Sequence, residues 1–329
     1  MEYVWLVVGF VLLIVGADIF VEGSSSLAKS FKIPTIIIGL TIVAFGTSMP
    51  EASVSISAAL EGKNDIAVSN VIGSNILNLL VVLGASALIC PVKSNDGAIK
   101  HEIPFSIILT MVFGAIIAFG INLPEGMTGF KAILNANFKI GLVGGIILLL
   151  FIIYYVYRQV RGALKSMKSG EAEDEEDEGQ KIPLSMSLKM IVLGLFAIVM
   201  GGNYVVDNAC IIAENFGMSE HFIGLTIIAI GTSLPELVTS VIAARKGESD
   251  IALGNVIGSN IFNIAFVLGA SATISPMTVN IISVYDVIIL LFVSVLTLIF
   301  AKTQRRFSRL EGLSMLAMYA VYCGYILVR

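Results

Sequence analysis

Two glutamates, Glu51 and Glu236, each end a short motif deep inside an apolar stretch of the chain. The motifs read GLTIVAFGTSMPE at 39–51 and GLTIIAIGTSLPE at 224–236. A carboxylate is costly at the depth of a membrane and by default marks a functional site there. Because carboxylates supply both negative charge and ligand oxygens, the pair predicts a site that binds cations.

A proline directly before each glutamate is expected to break the helix. Pro50 and Pro235 have no backbone N–H, so a carbonyl one turn earlier loses its helical partner. The proline ring also disfavours helical backbone in the residue before it. Irregular backbone at membrane depth is tolerated inside protein or beside a water-filled cavity, where bare carbonyls can hold cations. The sequence therefore predicts bare carbonyls beside each carboxylate.

Hydroxyl and amide groups occur at helical spacing around these glutamates. A second motif follows each of them, DIAVSNVIGSNILN at 65–78 and DIALGNVIGSNIFN at 250–263. Residues four apart share one face of a helix, so the oxygens of such pairs are predicted to lie together. The pairs at this spacing are Thr47 with Glu51, Thr232 with Glu236, Ser74 with Asn78, and Ser259 with Asn263.

The predicted ligand set contains oxygen but no thiolate or imidazole. Hard oxygen ligands suit Ca²⁺ and other hard cations, and they argue against zinc or copper. Two carboxylates would neutralise one Ca²⁺ or several monovalent ions, and binding of either kind of ion would exclude the other. For Asn78 and Asn263 alone, a structural role in joining helices is equally consistent with the sequence. Asp18, Glu22 and Asp207 lie towards predicted span ends, and we interpret them as structural.

The composition places these motifs in a membrane. Of the 329 residues, 57% are hydrophobic and 13% are charged, and the mean hydropathy is +0.93. No soluble domain hides this much apolar surface, so we predict an all-α, multi-pass membrane protein. The three cysteines form no disulfide or metal-binding pattern. The first apolar run has no basic residues ahead of it, which favours a membrane helix over a cleaved signal peptide.

Ten apolar segments are long enough to cross a bilayer as helices. The second and the seventh contain the proline motifs, and each is long enough to consist of two half-helices joined at the break. The predicted spans are 3–22, 34–60, 65–89, 103–120, 138–157, 186–213, 220–245, 250–273, 282–301 and 310–328.

The two halves of the chain are repeats at a constant offset of 185 residues. Between the core motifs 39–78 and 224–263, 25 of 40 residues are identical. We predict five-helix repeats at 1–157 and 184–329, the second inverted because each repeat has an odd number of spans. The connector at 158–183 carries the acidic run EAEDEEDEG, which is typical of a solvated loop or, alternatively, of a regulatory site for cations or a partner.

The distribution of basic residues predicts the orientation. With the N-terminus outside, sixteen of the 20 lysines and arginines lie on the inner side. By the positive-inside rule, both termini then face out and the acidic connector faces the cytoplasm. We expect the protein in the inner (plasma) membrane of the cell.

These motifs resemble those of the Ca²⁺/cation antiporter superfamily, in particular prokaryotic Na⁺/Ca²⁺ exchangers. GTSMPE and GTSLPE look like the two alpha-repeats of that family, and GSNILN and GSNIFN look like their partner segments. Ten spans, inverted halves and a short cytoplasmic connector also fit, so the resemblance covers nearly the whole chain. It implies that Ca²⁺ and Na⁺ are transported and that no cofactor takes part.

The resemblance also implies a ligand set. The glutamates would bind either ion, the threonines would offer a hydroxyl or a carbonyl, the alanine carbonyls and the serines would face Na⁺, and the asparagines would lie at the midplane. The implied ligands are Glu51, Glu236, Thr47, Thr232, Ser48, Ser233, Ala44, Ala229, Ser74, Ser259, Asn78 and Asn263. K⁺-dependent relatives carry an aspartate at the position of Asn263, so asparagine there disfavours K⁺ co-transport.

The function implied is that of a monomeric secondary antiporter that exchanges Na⁺ for Ca²⁺ by alternating access, with spans one and six sliding across the rest. H⁺/Ca²⁺ exchange on the same fold is the main alternative. A passive Ca²⁺ channel is more remote, because it would use a carboxylate ring around an open pore. Neither HExxH nor GxxxxGK[ST] occurs, so an enzyme or an ATP-driven pump is not expected. We expect no nucleic-acid partner.

Overall fold

The computed structural model of the chain describes residues 1–122, 136–169, 182–218 and 229–328. Helices account for most of these residues, as the composition predicts. The α-helices are α1 (Glu2–Phe31), α2 (Thr35–Ile38), α3 (Ala44–Thr47), α4 (Met49–Leu60), α5 (Asn64–Leu77), α6 (Leu83–Ile89), α7 (Ile103–Phe119), α8 (Leu142–Ser169), α9 (Leu184–Asn215), α10 (Ala229–Thr232), α11 (Leu234–Arg245), α12 (Ser249–Phe262), α13 (Gly269–Ile274), α14 (Ile281–Thr303) and α15 (Arg309–Val328). The π-helical segments that continue some of them are Gly39–Val43, Asn78–Val82, Ala98–Glu102 and Asn263–Leu268.

Eight helical segments in the described residues are long and apolar enough to cross a membrane. A ninth consists of Thr35–Thr47 and Met49–Leu60, which meet at an angle of 49°. These nine lie where nine of the spans are predicted, so the prediction of a multi-pass membrane protein is confirmed. The predicted seventh span, 220–245, begins outside the described residues. Only its later part, α10 and α11, is described, and the count of ten stays a prediction.

Helix α8 continues further than the apolar pattern predicts. The predicted fifth span ends at 157, whereas α8 runs to Ser169, so the first part of the predicted connector is helical. Charged residues end the apolar run, but lysine and arginine are good helix formers and no proline follows until Pro183. Hydropathy therefore marks the edge of the membrane rather than the end of this helix. The acidic run at 171–179 lies outside the described residues.

Short β-strands, which the all-helical prediction does not include, join loops at the two ends of the bundle. Strand β1 (Val92–Lys93) pairs antiparallel with β5 (Arg306–Phe307). Strands β2 (Ile121–Asn122), β3 (Asn137–Ile140) and β4 (Met277–Val279) form a second antiparallel sheet in that order. The first sheet joins two loops predicted to lie inside, and the second joins segments at the predicted outer side. Residues 138–140 of β3 are predicted to start the fifth span, but the helix begins only at Leu142. The pairing therefore agrees with the predicted alternation of sides.

Helices α5 and α12, which carry the GSN motifs, lie at the centre of the bundle. Over the most apolar 18 residues of each span, the buried share is 94% in the span Ser249–Ile274 and 72% in the span Asp65–Ile89. The other unbroken spans reach 39% at most. The fold therefore encloses both GSN motifs in protein and leaves the outer helices to face the bilayer.

Helices α1 and α9 pack closely along their length, with glycine at each close approach. A Cβ atom at Gly201 would lie 2.7 Å from the carbonyl oxygen of Gly9, and one at Gly194 would lie 2.8 Å from that of Gly16. The numbering rises along α1 as it falls along α9, so the two helices are antiparallel. They are the first spans of the two halves, and an inverted repeat requires this relation.

Arg158 ties α8 to the start of α7. Its guanidinium donates a hydrogen bond to Glu102, whose Oε2 also accepts a bond from Gln159 Nε2 at 2.9 Å. The guanidinium carbon lies 5.0 Å from the ring centre of Phe105 and 5.6 Å from that of Tyr155. Removing the Arg158 guanidinium would leave the largely buried Glu102 carboxylate with the Gln159 amide as its donor.

We therefore expect Arg158→Ala to lower the stability of the protein by about 1–3 kcal/mol. Thermal unfolding of the purified protein in detergent measures this as a lower Tm. Arg161→Ala is the matched control, since Arg161 is exposed on the same helix. Equal Tm values for Arg158→Ala and the control would show that the ion pair contributes nothing measurable.

Candidate cation site

The two glutamates stand at equivalent places, each in the first turn of a helix that follows a break. Glu51 lies in the first turn of α4 and Glu236 in the first turn of α11. Ser48 and Ser233 interrupt the helices just before, with ψ angles of 8° and 7°. Proline is tolerated in a first helical turn, where its missing N–H has no partner to lose. Each motif therefore ends one helix, begins another, and presents its glutamate at the junction.

Each glutamate accepts a hydrogen bond from the serine of the opposite motif. Ser48 Oγ donates to Glu236 Oε1 at 2.8 Å, and Ser233 Oγ donates to Glu51 Oε1 at 2.9 Å. Both carboxylates are fully buried, with 0% exposure. The reciprocal bonds bring the two carboxylates into one site built from both halves of the chain.

The Thr47 hydroxyl donates a hydrogen bond to the opposite half of the chain. Its Oγ1 donates to Asn255 Oδ1 on α12 at 2.9 Å. The helix is interrupted at Ser48, between Thr47 and Glu51, and the pairing of these two residues stays a prediction. Ala229 and Thr232 are the first and last residues of α10, and their ligand roles stay predictions.

The serines of the GSN motifs reach the same site. Ser259 Oγ lies 3.4 Å from Glu236 Oε1 and 3.4 Å from the carbonyl oxygen of Ala44. Ser74 Oγ lies 3.2 Å from Ser233 Oγ. The structure thus places the Ala44 carbonyl and both serines in one group of polar atoms with the carboxylates, and their role as ligands stays a prediction.

Four asparagines join α5 to α12 in reciprocal pairs. Asn75 Nδ2 donates to the carbonyl oxygen of Asn260 at 3.1 Å, and Asn260 Nδ2 donates to that of Asn75 at 3.2 Å. Asn78 Nδ2 donates to Asn260 Oδ1 at 3.2 Å, and Asn263 Nδ2 donates to Asn75 Oδ1 at 3.1 Å. The amide nitrogens of Asn78 and Asn263 therefore join the helices, while their own oxygens remain available.

Sequence reasoning missed Asn70 and Asn255, which brace the helices that carry the glutamates. Asn70 Nδ2 donates to Ser55 Oγ at 2.9 Å, and Asn255 Nδ2 donates to Ser240 Oγ at 2.9 Å. The two bonds are equivalent, one within each half, because Asn255 and Ser240 lie 185 residues after Asn70 and Ser55. The identity of these residues between the repeats is the signal that would have found them.

Four buried oxygens of the site have no hydrogen-bond partner among the described residues: Glu51 Oε2, Glu236 Oε2, Asn78 Oδ1 and Asn263 Oδ1. Buried polar atoms are normally satisfied, and a buried carboxylate is especially costly when it is not. A hard cation among these oxygens would supply the missing partner. The described part of the chain holds no group of three or more His, Cys, Asp or Glu side chains placed to hold a metal ion, so the arrangement differs from that of a zinc site.

Asp18 and Glu22 on α1 have a partner elsewhere. Lys246 Nζ lies 2.9 Å from Asp18 Oδ1 and 3.3 Å from Glu22 Oε2. Both carboxylates thus lie close to a lysine of the second half, which fits the interpretation that they are structural.

Comparison with known proteins finds matches that cover both halves of the chain. The family model described as sodium/calcium exchanger protein matches residues 1–161 and 186–328. The chain is 34% identical to the sodium/calcium exchanger MaX1 of Methanosarcina acetivorans, over 98% of this chain and 97% of the relative. It is 38% identical to the inner membrane protein YrbG of Escherichia coli, over 82% and 79%. A solved structure of the sodium-calcium exchanger NCX_Mj matches with a TM-score of 0.81 at 30% identity, over 98% and 97%.

Proposed function

The chain belongs to the sodium/calcium exchanger protein family, and from this premise we propose that it is a secondary antiporter that exchanges Na⁺ for Ca²⁺. The observation that carries the proposal is the pair of buried carboxylate oxygens, Glu51 Oε2 and Glu236 Oε2, that lack a partner in the described residues. The choice of ions is supported by MaX1 and NCX_Mj, which are named as exchangers of sodium and calcium.

Ca²⁺ and Na⁺ would compete for this one site. Two carboxylates can be neutralised by one Ca²⁺ or by several Na⁺, and an unneutralised pair is costly at this depth. Only the loaded protein would then pass between its two states. We assign the twelve ligand positions implied by the family resemblance to this shared site and to the Na⁺ sites beside it.

Alternating access would follow from two repeats, at 1–157 and 184–329, of which the second is inverted. The antiparallel packing of α1 on α9 supports this, because the first helices of two inverted repeats cross the membrane in opposite directions. The reciprocal bonds between the two motifs also fit a pseudo-two-fold axis through the site. Sliding of α1 and α9 across the remaining helices would expose the site to one side and then to the other.

The proposed location is the inner membrane, with both termini outside and the acidic connector in the cytoplasm. YrbG is named an inner membrane protein, and the asymmetry of basic residues supports the orientation. We further propose that one chain is the functional unit, since each glutamate receives its serine hydroxyl from the same chain.

Transport is proposed to be independent of K⁺. K⁺-dependent relatives carry an aspartate at the position of Asn263. Here Asn263 Nδ2 donates to Asn75 Oδ1 at 3.1 Å, a bond that an ionised aspartate could not make. We expect Na⁺-driven Ca²⁺ uptake to have the same rate when K⁺ is replaced by choline on both sides of the membrane. A rate that falls with the removal of K⁺ would contradict this part of the proposal.

Uptake of radioactive Ca²⁺ into proteoliposomes tests the coupling ion. We expect an outward Na⁺ gradient to drive uptake and an outward H⁺ gradient alone to drive none. Uptake driven by H⁺ alone would instead favour H⁺/Ca²⁺ exchange, in which protonation of the two glutamates replaces Na⁺ binding. Uptake under neither gradient would overturn both assignments.

A further inference from the structure

Asn255 links the two halves of the chain immediately beside the site. It is fully buried on α12. Its Oδ1 accepts the hydrogen bond from Thr47 Oγ1 at 2.9 Å, and its Nδ2 donates to Ser240 Oγ at 2.9 Å and to the carbonyl oxygen of Glu236 at 3.4 Å. One amide therefore joins the broken helix of the first half to the glutamate helix of the second half.

The orientation of this amide determines where the hydroxyl hydrogen of Thr47 lies. Thr47 Oγ1 is also 3.2 Å from the carbonyl oxygen of Val43 and 3.4 Å from that of Ala44, but Asn255 offers the shortest contact. A threonine hydroxyl has one hydrogen and two acceptor lone pairs. With its hydrogen directed at Asn255, Thr47 Oγ1 keeps its lone pairs available as acceptors, which a bound cation would require.

The donor side of Asn255 keeps the amide from turning around. Both bonds from Nδ2 go to acceptors on α11, the Ser240 hydroxyl and the Glu236 carbonyl. Asn70 repeats the same two bonds in the first half, to Ser55 Oγ at 2.9 Å and to the carbonyl oxygen of Glu51 at 3.4 Å. The brace therefore belongs to the architecture of both halves.

We infer that Asn255 is a positioning residue for cation binding, which acts by holding the Thr47 hydroxyl as an acceptor towards the ion. The inference rests on the proposed function, because it concerns the same site. An asparagine that merely joins helices would act independently of Thr47. A positioning residue would lose its effect on ion binding once the Thr47 hydroxyl is gone.

A double-mutant cycle between Asn255→Ala and Thr47→Val separates these two roles. The measured quantity is the KM for Ca²⁺ in Na⁺-driven uptake, alongside the maximal rate. We expect each single variant to raise KM by about tenfold, as the loss of one ligand contact would. The double variant should also show a rise of about tenfold, with maximal rates little changed. Thr297→Val is the matched control, because the buried Thr297 hydroxyl donates to the carbonyl oxygen of Val293 on its own helix α14 at 2.9 Å, and its KM should be unchanged.

Additive effects, with KM raised by about a hundredfold in the double variant, would overturn the inference. If Asn255→Ala does not fold, Asn255→Asp keeps the acceptor and the side-chain volume, and its added charge attracts cations. Its KM should therefore stay below that of Thr47→Val, and an equal or larger rise would also overturn the inference. A wild-type protein that does not exchange Ca²⁺ would instead refute the proposed function, whereas additivity in an active protein would refute only the role of Asn255.

Discussion

Glu51→Gln and Glu236→Gln should each abolish Ca²⁺ uptake while the protein still inserts into the membrane and remains folded. The amide keeps the shape of the carboxylate, and its oxygen can still accept the bond from the opposite serine. It removes half of the negative charge that faces the ion. Loss of one member of a buried charge set costs about 3–5 kcal/mol, which weakens ion binding by at least about a hundredfold.

Glu61→Gln is the matched control for both variants. Glu61 is exposed and lies 2.7 Å from Lys63, away from the site, so this variant should transport at the normal rate. Gel filtration of all three proteins in detergent would show whether they are folded. Near-normal exchange in both Glu51→Gln and Glu236→Gln would refute the assignment of the site.

Gly201→Ala should slow exchange by about tenfold or more while Ca²⁺ binding is retained. The added Cβ would lie 2.7 Å from the carbonyl oxygen of Gly9 and 2.7 Å from the backbone nitrogen of Leu13. These are backbone atoms, so α1 and α9 must separate or bend, and overpacking of this kind costs about 1–3 kcal/mol. Because the ligands lie on other helices, the cost should fall on the movement of α1 and α9 and not on the binding of the ion.

Gly114→Ala provides the steric control, since its Cβ would lie at an ordinary 3.6 Å from Val287 Cγ1. The rate of Ca²⁺ uptake and the Ca²⁺-induced rise in Tm would be measured for both glycine variants. A full rate in Gly201→Ala would show that the close packing of α1 on α9 is not needed for transport. A lost Tm response would show that the substitution damages the site itself.

Much of the architecture follows from patterns that the sequence displays directly. Apolar runs locate nine spans, because burial in lipid demands long uninterrupted segments. The prolines at 50 and 235 locate the helix breaks at Ser48 and Ser233, because proline fits only the start of the new helix. The strands at the ends of the bundle are only two to four residues long. Such segments are too short to show the alternation of apolar and polar residues that predicts a strand.

The contacts between the two repeats could not be predicted in the same way. The bond from Ser48 to Glu236 joins residues 188 positions apart, and its geometry depends on how the halves pack. The bond from Thr47 to Asn255 also joins the two halves, so spacing within one motif does not reveal it. The end of α8 was also not predicted, because hydropathy locates the edge of the membrane, whereas the helix continues through the charged residues beyond it.

Binding of Ca²⁺ to the purified protein, measured by calorimetry as Na⁺ is varied, tests the central claim most directly. The claim is that the two ions compete for one site held by Glu51 and Glu236. We expect Ca²⁺ to bind the wild type in choline buffer, to bind progressively more weakly as Na⁺ replaces choline, and not to bind Glu51→Gln. Ca²⁺ affinity that is independent of both Na⁺ and the glutamate would contradict the claim.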